Sequence, residues 1–176
     1  MGEPLGSAPV PPPGRGDHVR GPEDALVVIE YADYECPFCA ALHERLRDLD
    51  HRLVFRHFPV RSSHPRAWPA AMAAEAASRQ DSFWAMHDAL LADQARLEDP
   101  HLWARAQTLG LDLERFEADR RSDSVTERIR GDFRSGVRAG VVTTPTIFTW
   151  SDGRALRLSA EELVDRLRRR NGMGLL

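Results

Sequence analysis

The sequence has 176 residues, a formal net charge of −3, 42% hydrophobic residues and 29% charged residues. That is the length of one full-sized domain, globular rather than disordered, with no basic field to attract nucleic acid or anionic lipid. No apolar run is long enough to cross a bilayer, and the composition excludes a collagen-like chain, a coiled coil and a disulfide-stapled mini-protein.

Residues 1–22 read as a flexible tail. Pro11, Pro12 and Pro13 favour extended backbone, and Gly14, Gly16 and Gly21 follow. Met1 to Gly16 has no apolar core of a signal peptide, so the chain is expected in the cytoplasm. All 24 basic residues are arginine, a bias of GC-rich coding such as bacterial genomes show. No lysine is therefore available for Schiff-base or general-base work.

Ala25 to Tyr31 is short, β-branched and almost continuously apolar, the pattern of a strand buried on both faces. It breaks at Ala32-Asp33-Tyr34-Glu35. A helix follows, with Pro37 suited to its first position and Cys39, Leu42, Leu46 and Leu49 on one face. Leu53 to Phe58 reads as a second strand, stopped by Pro59.

From Pro65 to Gly140 the pattern is helical. Arg66 to Arg79 is rich in Ala, and Asp81 is a candidate cap for a helix carrying Phe83, Met86 and Leu90. Asp99-Pro100 reads as cap and first position, and Asp112 opens a short helix. Ser124 and Glu127 form a candidate capping box for the last helix of the block. Trp68, Trp84, Trp103 and Trp150 read as core residues.

Thr146 to Trp150 then reads as a strand, Asp152-Gly153 as a hairpin turn, and Ala155 to Leu158 as the returning strand. Ser159 and Glu162 make a capping box for a final helix from Ala160 to Arg170. The order is α/β: a βαβ half over 23–62, a helical block over 63–139, a ββα half over 140–171, and a tail over 172–176.

Cys36 and Cys39 are the only cysteines. Two cysteines placed at random in such a chain fall three apart about 1% of the time, so the spacing is informative. In a cytoplasmic chain a structural disulfide is not expected, which leaves a redox motif or half of a metal site. Cys36 is expected exposed at the helix N-terminus, where the dipole favours a thiolate; Cys39 lies one turn on, in the apolar stripe. That makes Cys36 the attacking thiol and Cys39 the resolving one. Glu30 is an acid in an apolar strand, costly unless it pairs with an arginine, reaches a polar rim or has a function. His43 could join Cys36 and Cys39 around a metal, but an exposed helical histidine is the simpler reading, and no metal is expected.

The segments Glu30-Tyr-Ala-Asp-Tyr-Glu-Cys-Pro-Phe-Cys39, Arg56-His-Phe-Pro59, His64-Pro65 and Thr143-Thr-Pro-Thr146 together resemble the DsbA-like branch of the thioredoxin superfamily. The resemblance runs from about residue 22 to 150. It implies a thioredoxin-like fold with an inserted helical domain, and thiol–disulfide oxidoreductase activity. It makes Cys36 the nucleophile, Cys39 the resolving cysteine, Pro145 a cis-proline facing them, and Glu30 a buried proton acceptor for Cys39. Thr144, Pro37 and Phe38 become substrate-facing residues. No cofactor is implied beyond the Cys36–Cys39 disulfide. Protein or small-thiol disulfides are the implied partners, without nucleic acid or membrane, and the oligomeric state stays open.

The chain departs from that family in its Pro-Phe dipeptide and its short final hairpin, and the composition of Met1 to Gly16 leads us to expect no export signal. Phe38 offers no hydrogen-bond donor, unlike the Pro-His of strongly oxidising members. The Cys36 pKa is therefore expected below about 8.5 but above the extreme near 3.5, giving a reductase or isomerase nearer the thioredoxin end of the potential scale. Two alternatives remain at this level: a metal-binding or oxidant-sensing module, and a glutathione-dependent isomerase or transferase of related fold.

Overall fold

A computed structural model describes residues 8–172. Its strands are β1 (His18–Arg20), β2 (Val27–Ala32), β3 (Arg52–His57), β4 (Thr146–Ser151) and β5 (Arg154–Leu158). Its helices are α1 (Pro37–Leu46), α2 (Ala67–Ser78), α3 (Phe83–Ala92), α4 (Asp99–Thr108), α5 (Leu113–Arg120), α6 (Asp123–Arg138) and α7 (Ala160–Arg170). The sheet order is β1-β3-β2-β4-β5. Only β2 and β3 run parallel, as the α1 crossover requires.

Alternation along β2 divides the core. Val28 faces Leu42, Leu46, Leu163 and Leu167 of α1 and α7. Ile29 and Tyr31 face the opposite layer with Phe58, Phe148 and α6. There Gly136 is essential: a Cβ would lie 2.8 Å from the Phe58 ring. A third cluster joins the alanine face of α2 to α3–α6 and to the two cysteines.

The first segment differs from the flexible tail read for residues 1–22; residues 1–7 lie outside the described part, as do 173–176. His18–Arg20 is a strand paired with β3, and Val10 is buried. The cause is Arg56, whose side chain is buried in the sheet. A guanidinium there must have its donors satisfied. It donates to both Asp17 carboxylate oxygens at 2.9 Å, to the carbonyls of Pro11 and Pro12, and to the Tyr31 hydroxyl.

Several helix starts also shift. α3 is capped at Ser82, while Asp81 sits at φ 56° in the preceding turn. α4 starts at Asp99 with Glu98 as its cap residue. α6 is capped by Ser122, whose oxygen accepts from the Val125 N–H, rather than by Ser124; Glu127 instead pairs with Arg130 and Arg134. The Ser159–Glu162 capping box and the Asp152-Gly153 turn, with φ of 50° and 73°, form where the sequence places them. The four tryptophans are half-buried rather than core residues. Trp84 and Trp68 carry Arg20 and Arg61 over their faces, which keeps one side of each ring near solvent.

Candidate active site

Cys36 is the N-cap residue of α1, with extended backbone, and Pro37 holds the first turn without needing an N–H partner. The loop before it is tied down by Asp33, which is buried. Asp33 Oδ1 accepts from the Glu35 N–H, Oδ2 accepts from the Val60 N–H and pairs with His64 Nδ1, and its carbonyl accepts from the Cys36 N–H. From the helical block, Gln94 Nε2 donates to the carbonyls of Tyr34 and Cys36, both at 2.8 Å. Glu35 accepts from the backbone and guanidinium of Arg66. Asp33 is of a residue type that caps its own turn two residues on, whereas an amide in a loop, as at Gln94, carries no such local signal.

Exposure does not separate the two cysteines. Cys36 is 3% exposed and Cys39 1%, whereas Phe38 between them is 72% exposed. The expected exposure of Cys36 is therefore corrected: Thr144 closes over it, with Cys36 Sγ donating to the Thr144 carbonyl at 3.3 Å. The Thr144–Pro145 bond is cis.

Electrostatics does separate them. The Cys36 pKa is lowered to about 5, first by a hydrogen bond from the Cys39 thiol, then by the Thr144 side chain and the N–H groups of Cys39 and Phe38. Burial opposes this and loses. Burial pushes the Cys39 thiol well up, and the neighbouring Cys36 and Glu30 push it further. The sulfurs are unlinked, the dithiol form.

Glu30 is 6% exposed in the central strand, opposite Phe55 on one side and Ile147 on the other. Burial raises its pKa to about 7, against the opposing pull of Arg20. It lines a cavity of about 420 Å³ with Arg20, His43 and Asp88, so protons can reach it from solvent. Phe38, Leu42, Thr144, Pro145 and Ile147 line a second groove of about 660 Å³ beside the dithiol. Among the described residues, three or more metal-type ligands gather as His18–His57–Glu75 and as His43–His87–Asp88; neither group contains a cysteine.

A family model described as thioredoxin matches residues 14–165. The chain belongs to the thioredoxin family. Its architecture is that of DsbA-like thiol–disulfide oxidoreductases within this family. A thioredoxin-like oxidoreductase from Silicibacter pomeroyi is 25% identical with a TM-score of 0.74, covering 92% of this chain and 95% of that one. DsbA2 of Pseudomonas aeruginosa is also 25% identical, with a TM-score of 0.68 over 91% of this chain and 97% of its own.

Curated relatives are more similar in sequence. A protein named Na(+)/H(+) antiporter NhaA from Herminiimonas arsenicoxydans is 45% identical over 148 residues, 80% of this chain and 23% of that protein. NhaA 3 of Salinispora tropica is 47% identical over 141 residues, 75% of this chain and 21% of that protein. This thioredoxin-family chain thus spans about a fifth of the length of the curated relatives it matches. No helix of the described residues is long and apolar enough to cross a membrane.

Proposed function

We propose that the protein exchanges disulfides with protein substrates through Cys36 and Cys39, isomerising or reducing labile bonds. The observation that carries this is the opposed environment of two sulfurs in one helical turn: the pKa of one is lowered to about 5, and that of the other is pushed well above the ordinary thiol value by burial. The Cys36 thiolate attacks a substrate disulfide, forming a mixed disulfide and releasing one substrate sulfur as thiolate. Glu30, titrating near neutrality, takes the Cys39 proton. The Cys39 thiolate then attacks Cys36, closing the enzyme disulfide and releasing the second substrate sulfur. An extended substrate segment can lie against Thr144 and Pro145, with Phe38 offering an exposed apolar contact.

Direction follows from the thiolate. A pKa of about 5 lies between the thioredoxin value near 7 and the extreme near 3.5, so the potential falls between about −270 and −120 mV. A cytoplasmic glutathione pool keeps such a couple largely reduced. Structural disulfides below about −300 mV resist it, which leaves strained or mispaired bonds as substrates. The antiporter names belong to proteins several times longer, and ion transport is not part of this reading.

A Cys39→Ser protein incubated with a scrambled, disulfide-containing substrate tests the proposal. It should accumulate a mixed disulfide through Cys36, while wild type restores native pairing. Absence of both the adduct and the repairing activity would overturn the reading.

A further inference from the structure

Four residues after Cys39, His43 on α1 meets His87 and Asp88 on α3. One ring nitrogen of each histidine and one Asp88 carboxylate oxygen lie within 4.8 Å of one another. His43 Nε2 is 3.6 Å from Asp88 Oδ1, and the two imidazole centroids are 5.5 Å apart. His87 is 1% exposed. Its Nδ1 is 3.0 Å from the Tyr34 hydroxyl, and its Nε2 is buried with no hydrogen-bond partner. Buried polar atoms are almost always paired, so a bare imidazole nitrogen calls for a ligand.

We propose that His43, His87 and Asp88 bind a divalent ion of the zinc type, joining the active-site helix to the helical block. Two imidazoles and a carboxylate suit zinc, with a fourth position left for water. His43 and Asp88 line the cavity of about 420 Å³, which gives an ion and its water a route in. Bonds of about 2.0–2.1 Å to a tetrahedral ion set ligand atoms about 3.3 Å apart. The 3.6 Å pair is close to this already; the half-exposed Asp88 side chain can adjust by rotation, and the two imidazoles have to close from a separation of no more than 4.8 Å.

Tyr34 completes the design. Binding selects the tautomer in which His87 Nδ1–H donates to the Tyr34 oxygen and Nε2 is bare. Metal-bound histidines carry such an outer hydrogen bond almost without exception. The other cluster lacks this feature, since His18 Nε2 and His57 Nε2 both bond Glu75 Oε1, at 2.7 and 2.8 Å. Arg20 is the opposing charge, its Nη1 donating to both Asp88 oxygens at 2.7 and 3.0 Å. A carboxylate has lone pairs for both partners. The nearby cation still weakens binding, which favours strong imidazole binders such as Zn²⁺ over Mg²⁺ or Ca²⁺.

The site uses neither cysteine, so it is tested on protein whose Cys36–Cys39 disulfide is closed. Calorimetric titration with Zn²⁺ should give one ion per chain, and Co²⁺ should develop visible absorption of a nitrogen–oxygen site. His43→Ala and Asp88→Asn should each weaken binding at least tenfold, and His18→Ala should not. Because removing the buried His87 endangers the fold, the two partly exposed positions decide the outcome, with metal-free melting curves verifying that each variant is folded. The proposal fails if no ion binds, if binding survives in folded His43→Ala and Asp88→Asn, or if it appears only after the disulfide is reduced.

Discussion

Cys36 Sγ lies 3.3 Å from the carbonyl oxygen of Thr144, 108 positions further along the chain. The nucleophile is thus built from two halves of the molecule: a helix start and the loop entering β4. Each half acts on the sulfur: the Cys39 thiol, the α1 N–H groups and the Thr144 side chain favour the thiolate, while the Thr144 carbonyl accepts only from the thiol, and each half can be altered alone.

Alkylation by iodoacetamide should titrate with a midpoint near pH 5 and occur at Cys36 alone. Cys39 should stay unmodified at neutral pH, which peptide mapping reads directly. The folded pKa is depressed, so thiolate stabilisation is full above the unfolded value of about 8.5 and is lost as pH falls through about 5. In urea unfolding of the reduced protein, the stability difference between wild type and the Cys36→Ser variant should rise over that window, the Glu30 contribution below pH 7 being common to both.

Thr144→Val should raise the Cys36 pKa by about one unit, since a hydrogen bond to a charged group contributes roughly 1.5–3 kcal/mol. The potential should become more reducing. Equilibration with glutathione buffers and thiolate ultraviolet absorbance check both effects.

Glu30 acts with the opposite sign. Its folded pKa of about 7 exceeds the ordinary 4.5, so its ionisation penalty is absent below about pH 4.5 and complete above 7. Glu30→Gln should therefore stabilise the protein at pH 8 by on the order of 3 kcal/mol, with little change near pH 4. The same variant should slow resolution of mixed disulfides. Denaturation at the two pH values and quenched-flow trapping separate the two consequences.

Gln94→Ala removes two hydrogen bonds to the turn that presents Cys36. The expected loss is about 1–2 kcal/mol of stability. Turnover should fall more than substrate binding, because the groove residues are untouched. Thermal melting and steady-state kinetics are the measurements.

The cysteine pair and the buried acid Glu30 were legible from local patterns, a spacing and a misplaced charge, whereas the cis bond before Pro145 came only with the family resemblance, since a proline before a strand is compatible with either isomer. The chain order of β2, β3, β4 and β5 and the hairpin followed from apolar patterning and turn chemistry; the order of strands in the sheet and the edge strand β1 did not, because both are set by pairing between distant segments. Cys36 exposure was not legible, because the covering atoms come from Thr144. Gln94 was not legible either, since its partners lie about 60 positions away and an amide in a loop carries no signature. The start of α3 falls one residue after Asp81, with Ser82 at the N-cap position but no side-chain cap bond, and the α6 cap falls at Ser122 two residues before Ser124, because several polar side chains stand at each start and packing sets the boundary.

Residues 8–20 bear on how the protein can be handled. Without them, the β3 backbone from Leu53 to Phe55 would present an unpaired edge, and Arg56 would keep its charge with its carboxylate partner gone. An open edge beside an apolar core is a template for pairing with another chain. Trimming the proline-rich start as dispensable would therefore yield a species that retains its cysteines yet precipitates, and inactivity measured on it would report lost solubility rather than lost chemistry.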